Sequence, residues 1–400
     1  MTNIKTFSKT RALAFTSLAH FANDGNFLLF SLLVVYFSKI PGINIAFLGV
    51  NAIIYNIIYG VLSLPIGRIA DKLNKDSLLI FIGIFLEGFA ASLFGFAFFS
   101  GNLYLVFIVL GSISLGAGQA FYHPLGASIL SFVYKKDKLG VALGINGGFG
   151  STGRALLPSV ITFFILIFGS FAGLEYLAVY TWVLAMIIYF GLRGFSRVYS
   201  KQKVVKKHLK LTKKLKLTLL RVSIPVFLKG AFLMGTVIFV AKYLDQITGS
   251  VTLTGIILTI SFIPAIAGQP FFGYLTSRKG GKYIISITSI LSFFMFIIFL
   301  SFKNIVVITL SYAILAFLLF NGFSVLLDYT YQLVPKEHYS TAYSVVWGLG
   351  NILGGAFGIA LMTFFLTFTN IFTSMFYMAF VLLASIIVLP LLPRERADKL

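Results

Sequence analysis

The sequence predicts an all-α polytopic membrane protein, with twelve transmembrane helices in two pseudo-symmetric six-helix bundles and both termini cytoplasmic. Three observations carry this reading. The chain of 400 residues is 58% hydrophobic and 11% charged, with a mean hydropathy of +0.97, whereas roughly a quarter of the residues of a soluble protein are charged. Apolar runs of about 20 residues recur some twelve times, each long enough to cross a bilayer as a helix. The basic residues between those runs fall on alternate connections.

The predicted spans of the first half are 11–38, 44–66, 77–99, 103–133, 139–168 and 171–192. Those of the second half are 217–244, 252–274, 282–302, 304–334, 340–368 and 370–392. Lys5, Lys9 and Arg11 precede the first span as they would in a signal peptide. That span contains Asp24 and has no cleavage-type ending, so it reads as uncleaved. No polar stretch exceeds about 30 residues, too short for a separate soluble catalytic domain.

One side of the membrane receives Lys5, Lys9 and Arg11, then Arg68, Lys72 and Lys75, then Lys135, Lys136 and Lys138. It also receives the central loop, Arg278, Lys279 and Lys282, Lys336, and finally Arg394, Arg396 and Lys399. The other side has Lys39, Lys242 and Lys303. The positive-inside rule makes the first side cytoplasmic. The net charge of +21 is concentrated in residues 193–221, where eleven Lys/Arg stand with no acid. Leucines and valines at near-helical spacing between these lysines predict a basic amphipathic segment on anionic lipid. No nucleic-acid recognition module accompanies the charge.

The halves repeat. Gly67 to Gly273 is an offset of 206, while Lys136-Asp137 to Lys336-Glu337, Gly148 to Gly348 and Gly150 to Gly350 are offsets of 200. The expected organisation is therefore a bundle over 1–192, a basic linker over 193–216 and a second bundle over 217–400, with the solute site near the midplane.

Polar side chains at bilayer depth are costly and mark function. In the first span His20 and Asp24 are four apart, hence on one face, with Asn23 beside them. The fourth span carries Ser112, Gly116, Gln119, His123 and Gly126 as one stripe, next to Tyr122. Lys229 lies in the seventh span, Asn321, Ser324 and Asp328 in the tenth, and Glu87, without an evident partner, in the third. Gly140, Gly144, Gly147 and Ser151 form a small-residue face on the fifth span, predicting close helix packing. Arg154 continues that face and requires a carboxylate, a carbonyl or an anionic solute. At an offset of 206, Asp24 falls opposite Gly230, beside Lys229, predicting that these two charges meet in at least one state.

The segment Gly67-Arg68-Ile69-Ala70-Asp71-Lys72-Leu73-Asn74-Lys75-Asp76 resembles the loop signature of the major facilitator superfamily. Asn74 replaces its usual glycine at a position of positive φ, and Asp76 reads as a cap of the next helix. The resemblance implies the major facilitator fold, a central cavity lined by spans one, four, seven and ten, and a cytoplasmic latch over Gly67, Arg68, Asp71, Lys72 and Lys75. His20-Phe21-Ala22-Asn23-Asp24 and Gly116 to Gly126, with Gly147-Gly148, are similar to signatures of the fosmidomycin-resistance-type branch. Arg154-Ala155 stands where that branch has Gly-Pro. The branch implies proton-driven efflux of an organic solute.

The resulting expectation is a transporter, not an enzyme, working by alternating access in the plasma membrane as a monomer. It would exchange a small drug-like or phosphonate-like solute for protons. No Walker-type loop is present, so the energy comes from an ion gradient. Asp24 is the first choice of proton carrier, with His20 and His123 as relay or solute ligands, and Asp328 and Glu87 as further carriers. Asn23, Gln119, Tyr122, His123, Arg154, Lys229 and Asn321 are the expected cavity residues. The alternatives are a proton-coupled uptake symporter for a sugar, carboxylate or peptide and, more remotely, an intramembrane lipid-modifying enzyme. No cofactor is expected. With no cysteine and with His20, His123, His208 and His338 far apart in sequence, no metal site is expected either.

Overall fold

The computed structural model describes residues 8–134, 136–195, 212–335 and 338–394. Among them, helices follow one another with short connections and no strand. They are α1 (Lys9–Asn26), α2 (Leu29–Phe37), α3 (Ile45–Leu73), α4 (Asp76–Phe96), α5 (Tyr104–Val133) and α6 (Lys136–Leu192). The second half continues with α7 (Lys213–Thr248), α8 (Val251–Lys279), α9 (Gly281–Ser301), α10 (Ile305–Leu319) and α11 (Gly322–Leu333). It ends with α12 (Tyr339–Val345), a π-helical turn over Val346–Ile352, α13 (Leu353–Phe368) and α14 (Ile371–Ile387).

Eleven of the described helical segments are long and apolar enough to cross a membrane, one fewer than expected. The difference falls in α6, where Gly169 takes the non-helical values φ 79°, ψ 169°, between the expected fifth and sixth spans. Two spans are interrupted: the first between α1 and α2 at Phe27–Leu28, and the tenth between α10 and α11 at Phe320–Asn321. The outward surface is apolar, with Val61, Val141, Leu166, Phe364 and Ile387 each more than half exposed, as helices facing lipid require.

Helix ends are capped by side chains. Thr212 accepts from Leu215 N–H, Ser250 from Leu253, Asn304 from Val306 and Val307, and Asn370 from Thr373. Arg11 ties the start of α1 to the end of α6, its Nε donating to Gly191 O at 2.6 Å and its Nη2 to Phe190 O at 2.9 Å. That places a cation on the carbonyls at a helix C-terminus.

The chain forms two compact units. One gathers Met1–Leu29 and Ile58–Val204; the other gathers Phe30–Ile57 and Val205–Leu400. In the first, α1 packs on α4, α5 and α6 around Ala19, Ala22, Ile84, Ala120, Tyr122 and Leu125. In the second, α7 packs on α8, α13 and α14. There Ser31 Oγ donates to Val237 O at 2.6 Å, and Lys39 Nζ lies 3.7 Å from Asp245 Oδ1. At the start of α7, Leu215 and Leu219 are buried in the core of this unit while Lys213, Lys214, Lys216 and Arg221 are exposed. The rest of the basic segment, residues 196–211, lies outside the described residues.

The repeat is visible as matched backbone approaches. A Cβ on Gly153 would collide with the carbonyl oxygen of Phe21, and one on Gly354 with that of Phe227. Gly153 to Gly354 is an offset of 201 and Phe21 to Phe227 one of 206. Each unit therefore seats its first helix on its fifth at equivalent glycines.

This corrects the expected packing face, since Gly140 and Gly144 meet nothing within 4 Å and the close approaches are made by Gly150, Gly153 and Gly25. The expected loop over 67–76 is also shorter, because α3 runs on to Leu73 and only Asn74 and Lys75 connect it to α4. Asn74 has φ 52°, as its place in the motif predicts. Lys75, not Asp76, is the N-cap of α4, and Asp76 lies buried in the first turn. Lys72 and Lys75 are exposed; the side chains of Arg68 and Asp71 lie outside the described residues.

Candidate functional site

The first unit contains a continuous network of buried polar side chains centred on Asp24, which is 3% exposed. Asp24 reaches this position because its helix lies against the glycines of α6. A Cβ on Gly150 would stand 2.5 Å from His20 Nε2 and 2.8 Å from Asp24 Oδ2, so only glycine leaves room for the pair. Arg154, one turn further along α6, donates through Nη1 to Asp24 Oδ2 and through Nη2 to Ser151 Oγ at 3.0 Å. His20 Nε2 is 3.1 Å from Asp24 Oδ2, and His123 Nε2 is 3.3 Å from Oδ1. Asn23 Nδ2 donates to the same Oδ1 at 3.1 Å. This carboxylate is thus surrounded by donors and by one permanent cation, the arrangement that makes a buried charge tolerable.

Behind His20 a second layer fixes its ring. His20 Nδ1 is 2.9 Å from Asn146 Oδ1, so the imidazole bridges Asn146 and Asp24. The Tyr122 hydroxyl lies 2.9 Å from both Thr16 O and Asn146 Oδ1 and donates to one at a time. On the other side, Gln119 Nε2 donates to Asn23 O at 2.5 Å and to Glu87 Oε1 at 3.4 Å, while Asn26 Nδ2 donates to Glu87 Oε2 at 2.8 Å. Glu87 is fully buried. The expected site residues His20, Asn23, Asp24, Glu87, Gln119, Tyr122, His123 and Arg154 therefore come together within one unit.

Among the described residues, those of the second unit do not form a matching cluster. Lys229 Nζ donates to Thr288 Oγ1 at 3.0 Å, Asn321 Nδ2 to Leu318 O at 2.7 Å, and Gln332 Nε2 to Asp328 Oδ2 at 3.1 Å. The cation on Asp24 in this structure is Arg154, of its own unit.

Sequence reading passed over Asn146 and Asn26, and read Ser151 as a packing residue rather than as a partner of Arg154. Asn146 directly precedes the paired Gly147-Gly148 in an apolar run, and that isolation was the available signal.

The fold also brings together histidines that are distant in sequence. Ligand atoms of His20, Asp24 and His123 lie within 4.8 Å of one another, a set able to hold a metal ion. Arg154 sits on the same carboxylate and already supplies the positive charge.

The sequence profile of the Major Facilitator Superfamily matches residues 15–244 and again residues 230–400. The chain belongs to the Major Facilitator Superfamily. No curated protein matches it in sequence. Among solved structures, this superfamily member is similar in fold to a bacterial homolog of the human lysosomal transporter Spinster. With the inward-facing, occupied conformation it shares 14% identity and a TM-score of 0.73 over 98% of each chain. With the inward-facing, unoccupied conformation the values are 13% and 0.72, over 95% of this chain and 96% of that one. The peptide transporter POT, a mutant in complex with alafosfalin, is similar at 17% identity and a TM-score of 0.68, over 95% of this chain and 93% of that one. The superfamily and its fold make the chain a multi-pass membrane protein with the architecture of a transporter.

Proposed function

We propose that the protein is a proton-coupled efflux transporter of the plasma membrane that exports a small anionic organic solute, of drug or phosphonate type, by alternating access. It has no enzymatic role in this reading. The observation that carries it is the Asp24–Arg154 pair, buried at the centre of a hydrogen-bonded network between membrane helices. A charge pair at that depth costs stability and has a use if it opens. An anionic group entering the site competes with Asp24 for Arg154, with His20, His123 and Tyr122 as its further donors. Signature residues His20, Asn23, Asp24, Gly118 and His123 all take part in this network or make room for it, which supports the fosmidomycin-resistance-type branch.

Twelve spans follow if α6 counts as two helices broken at Gly169, and the basic connections then place both termini in the cytoplasm. The exposed Lys213, Lys214, Lys216 and Arg221 extend a basic segment suited to anionic lipid. The end of α3 and the turn after it, with Gly67, Arg68, Asp71, Lys72 and Lys75, serve as the cytoplasmic latch, and Lys229 and Asn321 are solute-binding residues of the second unit.

The test is solute flux under an imposed pH gradient. Proteoliposomes loaded with labelled fosmidomycin should release it faster when the outside is acidified, and a protonophore should abolish the acceleration. Accumulation of solute in the direction of proton flow would establish an uptake symporter instead.

A further inference from the structure

We propose that Glu87 is the binding site of the coupling proton and that Gln119 and Asn23 pass its state to Asp24. The inference deepens the proton-coupled reading above and rests on it.

The argument is one of charge. Asp24 carries Arg154, His20 and His123, so a proton placed on it breaks an ion pair and leaves a guanidinium, 9% exposed at Arg154, without its counter-ion. Losing one partner of a buried pair is among the costliest single changes. Glu87 imposes no such cost. Its partners are the neutral amides of Asn26 and Gln119, and no cation pairs with it among the described residues. His20, Asp24, Tyr122, His123, Arg154 and Glu175, on the helices packed against α4, have partners of their own. From α1 Asp24 holds Arg154. From α5 Tyr122 is bonded to Asn146 and His123 to Asp24; from α6 Glu175 accepts from Ser92 Oγ at 2.9 Å. Taking up or releasing a proton at Glu87 therefore strands no other ion.

The site is built for this side chain. A Cβ on Gly118 would stand 2.8 Å from Glu87 Cγ and 2.7 Å from Gly83 O, so the glycine next to Gln119 is what lets a glutamate fit between α4 and α5. The route outward is short. Gln119 Nε2 donates to Glu87 Oε1, and its Oε1 accepts from Asn23 Nδ2 at 3.5 Å, which also donates to Asp24 Oδ1 at 3.1 Å. A protonated Glu87 presents an O–H where the Gln119 N–H now points. The Gln119 amide then turns to offer its oxygen, Asn23 loses that acceptor, and Asp24 loses a fixed donor. Asp24, with one donor fewer, then holds Arg154 more firmly and withholds it from the solute, and release of the proton reverses this, as exchange of solute for protons requires. Gln119 is a positioning residue in this scheme.

The experiment compares the wild type, E87Q and E87D in proteoliposomes, with fosmidomycin as probe, under a pH gradient and in gradient-free counterflow. E87Q should lose gradient-driven transport by about tenfold or more, a coupling of ordinary size, while its counterflow remains measurable. E87D should keep both. Gradient-driven transport retained by E87Q, or counterflow lost with it in a folded protein, overturns the proposal. If the wild type itself ignores the gradient, the proton-coupled reading fails, and Glu87 is judged by infrared spectroscopy alone. A carboxylic C=O band that fades on alkalinisation and is absent from E87Q, or shifted in E87D should E87Q not fold, supports a proton on Glu87. Absence of any such band at every pH overturns it.

Discussion

Arg154 and Asp24, 130 residues apart in sequence, form a buried ion pair in which the guanidinium donates to one carboxylate oxygen and to Ser151. Removing one partner leaves the other charge buried and uncompensated, at a cost of about 3–5 kcal/mol, whereas removing both costs less than the sum. Asp24→Asn and Arg154→Gln should each lower the unfolding temperature in detergent, and the double variant should lie above the additive expectation. Additive losses would show that the two groups do not interact.

The paired glycine approaches make a second prediction. Gly153→Ala and Gly354→Ala each force a methyl group against a backbone carbonyl, of Phe21 and Phe227 respectively, and should cost about 1–3 kcal/mol by overpacking. Gly144→Ala meets open space and should be neutral or gain up to about 1 kcal/mol from helix propensity. Thermal unfolding of the three variants separates the packing glycines from the bystander.

A third concerns metal. Arg154 occupies the carboxylate that His20 and His123 share, so zinc should leave the unfolding temperature of the wild type unchanged and raise that of Arg154→Ala. Equal stabilisation of both proteins would mean that the triad binds metal in spite of the guanidinium.

Topology is open to labelling without background, because the chain has no cysteine. Asn74→Cys and Lys213→Cys should react with an impermeant reagent only from the cytoplasmic side, and Asn102→Cys and Asn370→Cys only from outside. Labelling of Lys213→Cys from outside would reverse the orientation.

Much of the site was legible in sequence because its cost is local. His20 and Asp24 share a face by their spacing of four, and each of Glu87, Gln119, His123 and Arg154 interrupts an apolar run where a polar group is expensive. Their pairing was not legible. Which cation meets Asp24 depends on how α1 crosses α6, and that crossing is set by Gly150 and Gly153, whereas periodicity alone drew attention to Gly140, Gly144 and Gly147. Glu87 lacked a partner for the same reason, since Asn26 and Gln119 lie on two other helices. Helix ends were blurred where a polar sequence continues a helix, as from Gly67 to Leu73. The spans themselves, written in continuous apolar stretches, were clear except at Gly169.

If Asp24 is the internal competitor of an anionic solute for Arg154, removing its charge should strengthen solute binding even as it weakens the empty protein. Calorimetric titration of fosmidomycin into the wild type and Asp24→Asn is the direct measurement. The predicted result is an affinity higher in Asp24→Asn by about tenfold, equivalent to ~1.4 kcal/mol; weaker or absent binding in a folded Asp24→Asn protein would contradict the proposed exchange at Arg154.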